Sequence, residues 1–450
     1  MIPHATIPPN ARRRRPRAAV AVGALVLGLT LPTAADAHRG PAGGHPGTGG
    51  GHGPVHPGGP GHGSSPARPW ERSAPNFGSA LDRVVYAHRG ASGYRPEHTL
   101  EAYRLAIQQG ADFIEPDLVS TKDGQLVDRH ENEISGTTDV ATRPEFADRK
   151  RTKVVDGTTL TGWFTEDFTL KELRTLRAKE RLPAIRPANT AYDGQYQVPT
   201  FQEVIDTARR ASKATHRTIG IVPEIKHSTY FRSVGIDQES EVLKTLRKNH
   251  LDDRRAPVIV QSFEVSNLKL LRRESKVHTV QLLDAPTAKP ADVVKAGGST
   301  TYGQIASPAG LKDVATYADA VSPNTDYVVP RDATTGASLA PTSFVKDAHA
   351  AGLPVVVYTF RRENSFLPLE RRSSTDPAGI GDLQGYITQF LQQGVDAVFS
   401  DDPDIAVAAT RAFEASQQGP KPPHGGPTGP KGPHEGPKGP QRRAVAGAAR

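Results

Sequence analysis

Two histidines, several carboxylates and two cationic side chains sit where this sequence changes from apolar to polar. His88-Arg89 directly follows the run RVVYA; Glu115 and Asp117 lie inside DFIEPDL; Glu224 and Lys226 close the stretch GIVPEIK. Gln261 follows PVIV, and Asp401-Asp402 follow VDAVFS. A carboxylate inside an apolar run is costly to bury unless it is paired or bound to a cation. Glu115 and Asp117 are two residues apart, so on a strand they point to the same side. With Glu224 they make three hard oxygen ligands, and the chain has no cysteine. That donor set favours Ca²⁺ or Mg²⁺ over a structural zinc. Ion pairing with Arg or Lys is the alternative for any one of these carboxylates alone.

A second histidine is brought in by turn arithmetic. Lys122-Asp123-Gly124-Gln125 reads as a hairpin with Asp123-Gly124 as a two-residue turn. Opposed residues then have numbers summing to 247, which sets His130 across from Asp117. Two histidines beside three carboxylates suit proton transfer at a charged centre. Phe263, Tyr358 and Tyr230 are candidate walls of the same site.

These residues need a scaffold that gathers strand ends on one face. Eight short apolar runs recur between residues 83 and 400, separated by amphipathic stretches such as TLEAYRLAIQQ. Runs that are apolar throughout indicate strands buried on both sides, as in parallel sheets. The predicted fold is α/β, a (β/α)8 TIM barrel, whose strand ends share the functional face. Residues 131–199 lack the strand–helix rhythm and read as a long insertion after the hairpin, expected at that same face. No Gly-rich phosphate fingerprint follows the first strand, which weighs against a doubly wound sheet.

The motifs together resemble the glycerophosphodiester phosphodiesterase family, most of all its secreted bacterial subgroup. They are His88-Arg89-Gly90, Pro96-Glu97-His98-Thr99, Glu115-Pro116-Asp117, Thr121-Lys122-Asp123-Gly124 leading to His130, Pro223-Glu224-Ile225-Lys226, and the closing Ser400-Asp401-Asp402-Pro403-Asp404. The resemblance covers about Val84 to Asp404. It implies that Glu115, Asp117 and Glu224 hold a divalent metal, Ca²⁺ first and Mg²⁺ as the alternative. It implies that His88 and His130 are the acid–base pair and that Arg89 and Lys226 hold the phosphate. Gln261 joins them as a phosphate-side candidate, with Glu97 and Glu131 in support. The family commonly has Asp after the second histidine, where this chain has Glu131.

The implied reaction is hydrolysis of small-molecule glycerophosphodiesters to sn-glycerol 3-phosphate and an alcohol, with the substrate's own 2-hydroxyl attacking first. Two other readings are an exo-hydrolase of glycerol-phosphate wall polymers such as teichoic acid and a non-catalytic, wall-associated binding module. A glycosidase would account for paired carboxylates but not for Arg89, Lys226 and two histidines.

The ends of the chain differ from its middle. Its 43 Gly and 39 Pro concentrate there, so the 450 residues overstate the folded part. Residues 12–17 (RRRRPR) precede an uncharged apolar run over 18–31 and the small residues Ala35 and Ala37. This is the pattern of a signal peptide cleaved near Ala37, with a run too short to span a bilayer. The expected location is therefore secreted, or periplasmic where there is an outer membrane, with no transmembrane segment in the mature protein. Residues 38–78 read as a Gly/Pro/His-rich linker, 79–414 as the barrel and 415–450 as a basic tail suited to weak contact with an anionic cell envelope. The net charge of +8 is misleading: residues 1–70 carry +6 and 417–450 carry +5, leaving −3 between them. A slightly acidic middle excludes the nucleic-acid reading that a pI near 9.5 invites.

Overall fold

The computed structural model describes residues 84–417. The expected signal peptide and linker, and the tail from 418 onward, lie outside the described residues. Eight parallel barrel strands follow one another in the ring. The first is β1 (Val84–Ala87). The second is β2 (Phe113–Ile114) continued by β3 (Asp117–Ser120). Strand β4 (Leu126–Asp128) folds back on β3 as the return arm of a hairpin. Strands β5 (Arg151–Val155) and β6 (Thr158–Gly162) form a separate antiparallel hairpin. The third barrel strand is β7 (Gly220–Ile221) continued by β8 (Glu224–Ile225). The remaining five are β9 (Ile259–Ser262), β10 (His278–Leu283), β11 (Ala320–Pro323), β12 (Val356–Phe360) and β13 (Ala397–Ser400). Parallel pairing runs from β1 around to β13, the β11–β12 seam being made by single bridges at Val321–Val355 and Asn324–Tyr358. Pairing of β13 with β1 closes the ring. The TIM barrel is thus formed by the eight apolar runs.

Two prolines shape the ring at the functional end. Proline has no N–H for the ladder, so β2/β3 is interrupted at Pro116 and β7/β8 at Pro223. Each is followed by the residue that matters: Asp117 lies in register with Glu224, and Glu224 with Gln261. A row of polar side chains therefore crosses three neighbouring strands.

The hairpin register differs from the one expected. Leu118 pairs with Asp128 and Val119 with Val127, so opposed numbers sum to 246. The loop has three residues, Lys122-Asp123-Gly124, closed by Thr121 N–H donating to Gln125 O. Only Gly124 is left-handed (φ 72°), whereas a two-residue I′ turn needs two such residues. Arg129 rather than His130 lies across from Asp117, its N–H donating to the Asp117 carbonyl at 2.9 Å. The carboxy-terminal helix Pro403–Gln417 also runs three residues past the expected barrel boundary at 414.

Residues 131–199 do form an insertion on the barrel. It has its own apolar cluster, including Ile134, Trp163, Phe164 and Phe168, continuous with Val119 and Val127 of the hairpin. Tyr230 and Phe231 of the helix Ser228–Ser233 join the same cluster. This packing fixes the insertion to the barrel at two elements that border the site.

Candidate active site

The chain leaves β1 at His88 and turns sharply. Arg89 has φ 61° and Gly90 φ 87°, and a Cβ at Gly90 would lie 2.8 Å from the Ala102 backbone carbon. Only glycine fits that turn against the helix Leu100–Gln108. The turn aims the Arg89 N–H at Glu115 Oε2, 2.9 Å away. It also carries the guanidinium onto Glu97, with Nη1 at 3.1 and 3.2 Å from the two carboxylate oxygens. Thr99 then caps the following helix, its hydroxyl accepting from Ala102 N–H.

Glu115, Asp117 and Glu224 are all buried and each offers an oxygen within 4.8 Å of the others. Lys226 Nζ lies 2.8 Å from Glu224 Oε1 and 3.9 Å from Asp117 Oδ2. Burial, reinforced by the neighbouring carboxylates, pushes Glu115 well above the usual carboxylate range. Burial also raises Glu224, to about 7, against the pull of Lys226. Asp117 goes the other way: burial opposes its charge, but Lys226 and His98 outweigh it. His98 Nε2 lies 2.9 Å from Asp117 Oδ2, while Asp117 Oδ1 is buried without a hydrogen-bond partner. Three crowded carboxylates and an orphaned oxygen fit a divalent cation, which would satisfy that oxygen and offset the crowding.

Both sequence-predicted histidines line one cavity of about 370 Å³ with this triad, Arg89 and Lys226. His88 Nδ1 is 2.5 Å from Asp401 Oδ1, which leaves Nε2 on the cavity side, 3.5 Å from Thr359 Oγ1. His130 Nδ1 is 2.7 Å from Glu131 Oε1. His130 reaches the cavity although the register differs, because the chain leaves the ladder after Asp128. Burial and the Arg89 cation lower both imidazoles to about 3, Lys226 adding to the effect at His130. Both shifts favour the neutral ring in the unliganded site, and a phosphodiester anion between them would raise them again.

Two expected placements are corrected. Gln261 does not reach the cavity; it is fully buried and its Nε2 donates to Glu115 Oε1 at 2.7 Å, so it steadies a carboxylate rather than a phosphate. Tyr230 belongs to the insertion's apolar cluster, with its hydroxyl on Glu166, whereas Phe263 and Tyr358 do line the cavity. Glu97 supports Arg89 and also pairs with Arg181 at 2.8 Å. Sequence reasoning missed His98, Arg186, His227 and Arg361. Arg361 lines the cavity and donates from Nε to Asp401 Oδ2 at 2.9 Å. His98 stands inside a quoted motif, which was a usable signal; the others carry no motif.

The sequence matches the Glycerophosphoryl diester phosphodiesterase family over residues 88–405. The chain belongs to that family. It is 38% identical over 327 residues to glycerophosphodiester phosphodiesterase GDPD6 of Arabidopsis thaliana, covering 70% of this chain and 82% of that protein. It is 30% identical over 344 residues to a glycerophosphodiester phosphodiesterase of Haemophilus influenzae, covering 72% and 89%. A solved structure from Silicibacter pomeroyi has the same fold, with a TM-score of 0.51 at 20% identity over 75% of this chain and 97% of that one. Membership makes the chain an enzyme, a phosphoric diester hydrolase of the glycerophosphodiester phosphodiesterase type.

Proposed function

We propose that this enzyme is an exported, divalent-metal-dependent glycerophosphodiester phosphodiesterase that releases sn-glycerol 3-phosphate and an alcohol. The observation that carries the reading is the convergence of His88, His130, Arg89, Lys226 and the three-carboxylate cluster on one cavity. Glu115, Asp117 and Glu224 would hold the metal, Ca²⁺ or Mg²⁺, which supplies positive charge to the phosphoryl oxygens. Arg89 and Lys226 add two fixed cations where charge develops in the transition state. One imidazole, neutral, takes the proton of the attacking hydroxyl on Nε2, and the other, raised by the bound diester anion so that its Nε2 also carries a proton, gives that proton to the departing alcohol. Each ring presents Nε2 to the cavity because its Nδ1 faces a carboxylate. Phe263 and Tyr358 give the glycerol or its substituent an apolar wall.

Export rests on the basic, apolar and small-residue pattern of residues 12–37. The amino-terminal sequence of protein recovered from the medium tests it, with a start near His38 expected. No helix among the described residues is long and apolar enough to cross a membrane.

The reaction is tested by comparing wild type with His88→Ala on glycerophosphocholine. Loss of a general acid or base costs roughly 10²–10⁴-fold in turnover. Wild-type turnover by His88→Ala would overturn the assignment. Running glycerol-phosphate polymer beside glycerophosphocholine tells which substrate size the cavity accepts.

A further inference from the structure

Each of the two histidines is held by the same construction. A carboxylate faces Nδ1 with one oxygen, and a cation holds the other oxygen. For His130 the carboxylate is Glu131, whose Oε2 lies 3.0 Å from His227 Nε2. His227 Nδ1 lies 2.6 Å from Asp156 Oδ2. For His88 the carboxylate is Asp401, whose Oδ2 accepts from Arg186 Nη2 at 2.6 Å and from Arg361 Nε at 2.9 Å. The same arginine donates to Glu363 from Nε at 2.6 Å and to the Ser92 carbonyl from Nη1 at 3.0 Å. Asp156, Glu131 and Arg186 all come from the insertion.

We propose that the insertion is a working part of the acid–base machinery: Asp156, through His227 and Glu131, and Arg186, through Asp401, set the tautomer and ring orientation of His130 and His88. The inference rests on reading those two histidines as the acid–base pair. Asp156, His227 and Arg186 are positioning residues.

Local structure supports it. Asp156 and Gly157 have φ 48° and 85° and join β5 to β6 in a two-residue turn, Val155 pairing with Thr158. This is the I′ geometry for which Asp-Gly is suited. The stiff turn presents Asp156 at a fixed point. His227 is itself left-handed (φ 52°), an unfavoured conformation for a residue with a Cβ. In it, each ring nitrogen faces a carboxylate, so each needs a proton. Burial opposes that charge, but the bonds to Asp156 and Glu131 outweigh it and raise His227 to about 9. A cationic His227 keeps Glu131 anionic. Glu131 then accepts from His130 Nδ1–H and leaves the Nε2 lone pair toward the cavity. Arg186 is 5% exposed and binds Glu363 with two nitrogens, so Asp401 is held by a guanidinium with little freedom to turn.

A double-mutant cycle in the full-length enzyme tests the relay, with glycerophosphocholine as substrate. Asp156→Asn and His227→Gln are each expected to lower kcat about tenfold or more, with KM within about twofold of wild type. Because both act through Glu131, the double variant should lose little beyond the worse single one. Arg186→Gln, acting through the other histidine, should multiply with either. Wild-type kcat in Asp156→Asn and His227→Gln, or losses from the two that multiply, would overturn the relay. His130→Ala is run alongside: if it keeps the wild-type rate, the acid–base reading itself fails. If it loses activity while Asp156→Asn does not, only the positioning role fails. Should the substitutions unfold the chain, ring-nitrogen NMR of the wild type decides. His130 protonated at Nδ1 with His227 doubly protonated at pH 7 supports the relay; His130 protonated at Nε2 or a neutral His227 overturns it.

Discussion

Glu224 and His227 stand three residues apart and titrate for opposite reasons. Glu224 is raised to about 7 by burial among carboxylates, so a metal must displace its proton on binding. Apparent affinity for Ca²⁺ should therefore weaken as pH falls through about 7, with Glu115, also raised by burial and its neighbours, adding to the protons displaced. Calorimetry at several pH values, in buffers of different ionisation enthalpy, reads both the affinity and the proton released. His227 is raised above its ordinary 6.5 to about 9 despite burial, because Asp156 and Glu131 bind its charged form. A raised folded value means stabilisation that is full below about 6.5 and lost as pH rises through about 9. Thermal unfolding of wild type and His227→Gln should differ most at pH 6 and converge above pH 9. At this scale the motif residues were legible because their chemistry is unusual inside apolar runs. Their partners were not. Arg186, His227 and Arg361 are ordinary polar residues in sequence, and only the folded chain brings them against Asp401 and Glu131.

At the scale of elements, the turn after β1 places three groups at once: His88, the Arg89 N–H and the Arg89 guanidinium. Gly90→Ala would force a Cβ to within 2.8 Å of the Ala102 backbone at φ 87°. It should cost at least about 1 kcal/mol of stability. It should also lower kcat, because Arg89 N–H can no longer hold Glu115; denaturant titration and turnover check the two effects separately. The eight strands were legible because double burial writes continuous apolar runs. The register of the β3–β4 hairpin was not, because Asp-Gly suits both a two-residue turn and the end of a three-residue one. Thr121 decides it here, donating its N–H to Gln125 O and accepting Gln125 N–H on its hydroxyl. That same dipeptide does make the two-residue turn at Asp156-Gly157.

Taken whole, the molecule keeps its chemistry in the barrel and insertion and its net positive charge in the terminal segments. Deleting residues 418–450 should leave turnover of a small soluble diester unchanged while reducing salt-sensitive retention on anionic vesicles. Vesicle co-sedimentation at low and high salt checks the second part. The insertion was legible as a break in rhythm, and its location at the functional end followed from the barrel. Its contribution to both histidines was not, since it depends on a fold that the pattern of residues 131–199 does not announce.

Diester hydrolysis should depend on a divalent metal held by the three carboxylates. The most direct test of this dependence is glycerol 3-phosphate release from glycerophosphocholine by the full-length protein, first with EDTA and then with Ca²⁺ or Mg²⁺ restored. Release abolished by chelation and recovered with either ion is the predicted result. Release that persists unchanged in EDTA, or none from a folded, metal-supplied enzyme, would contradict it.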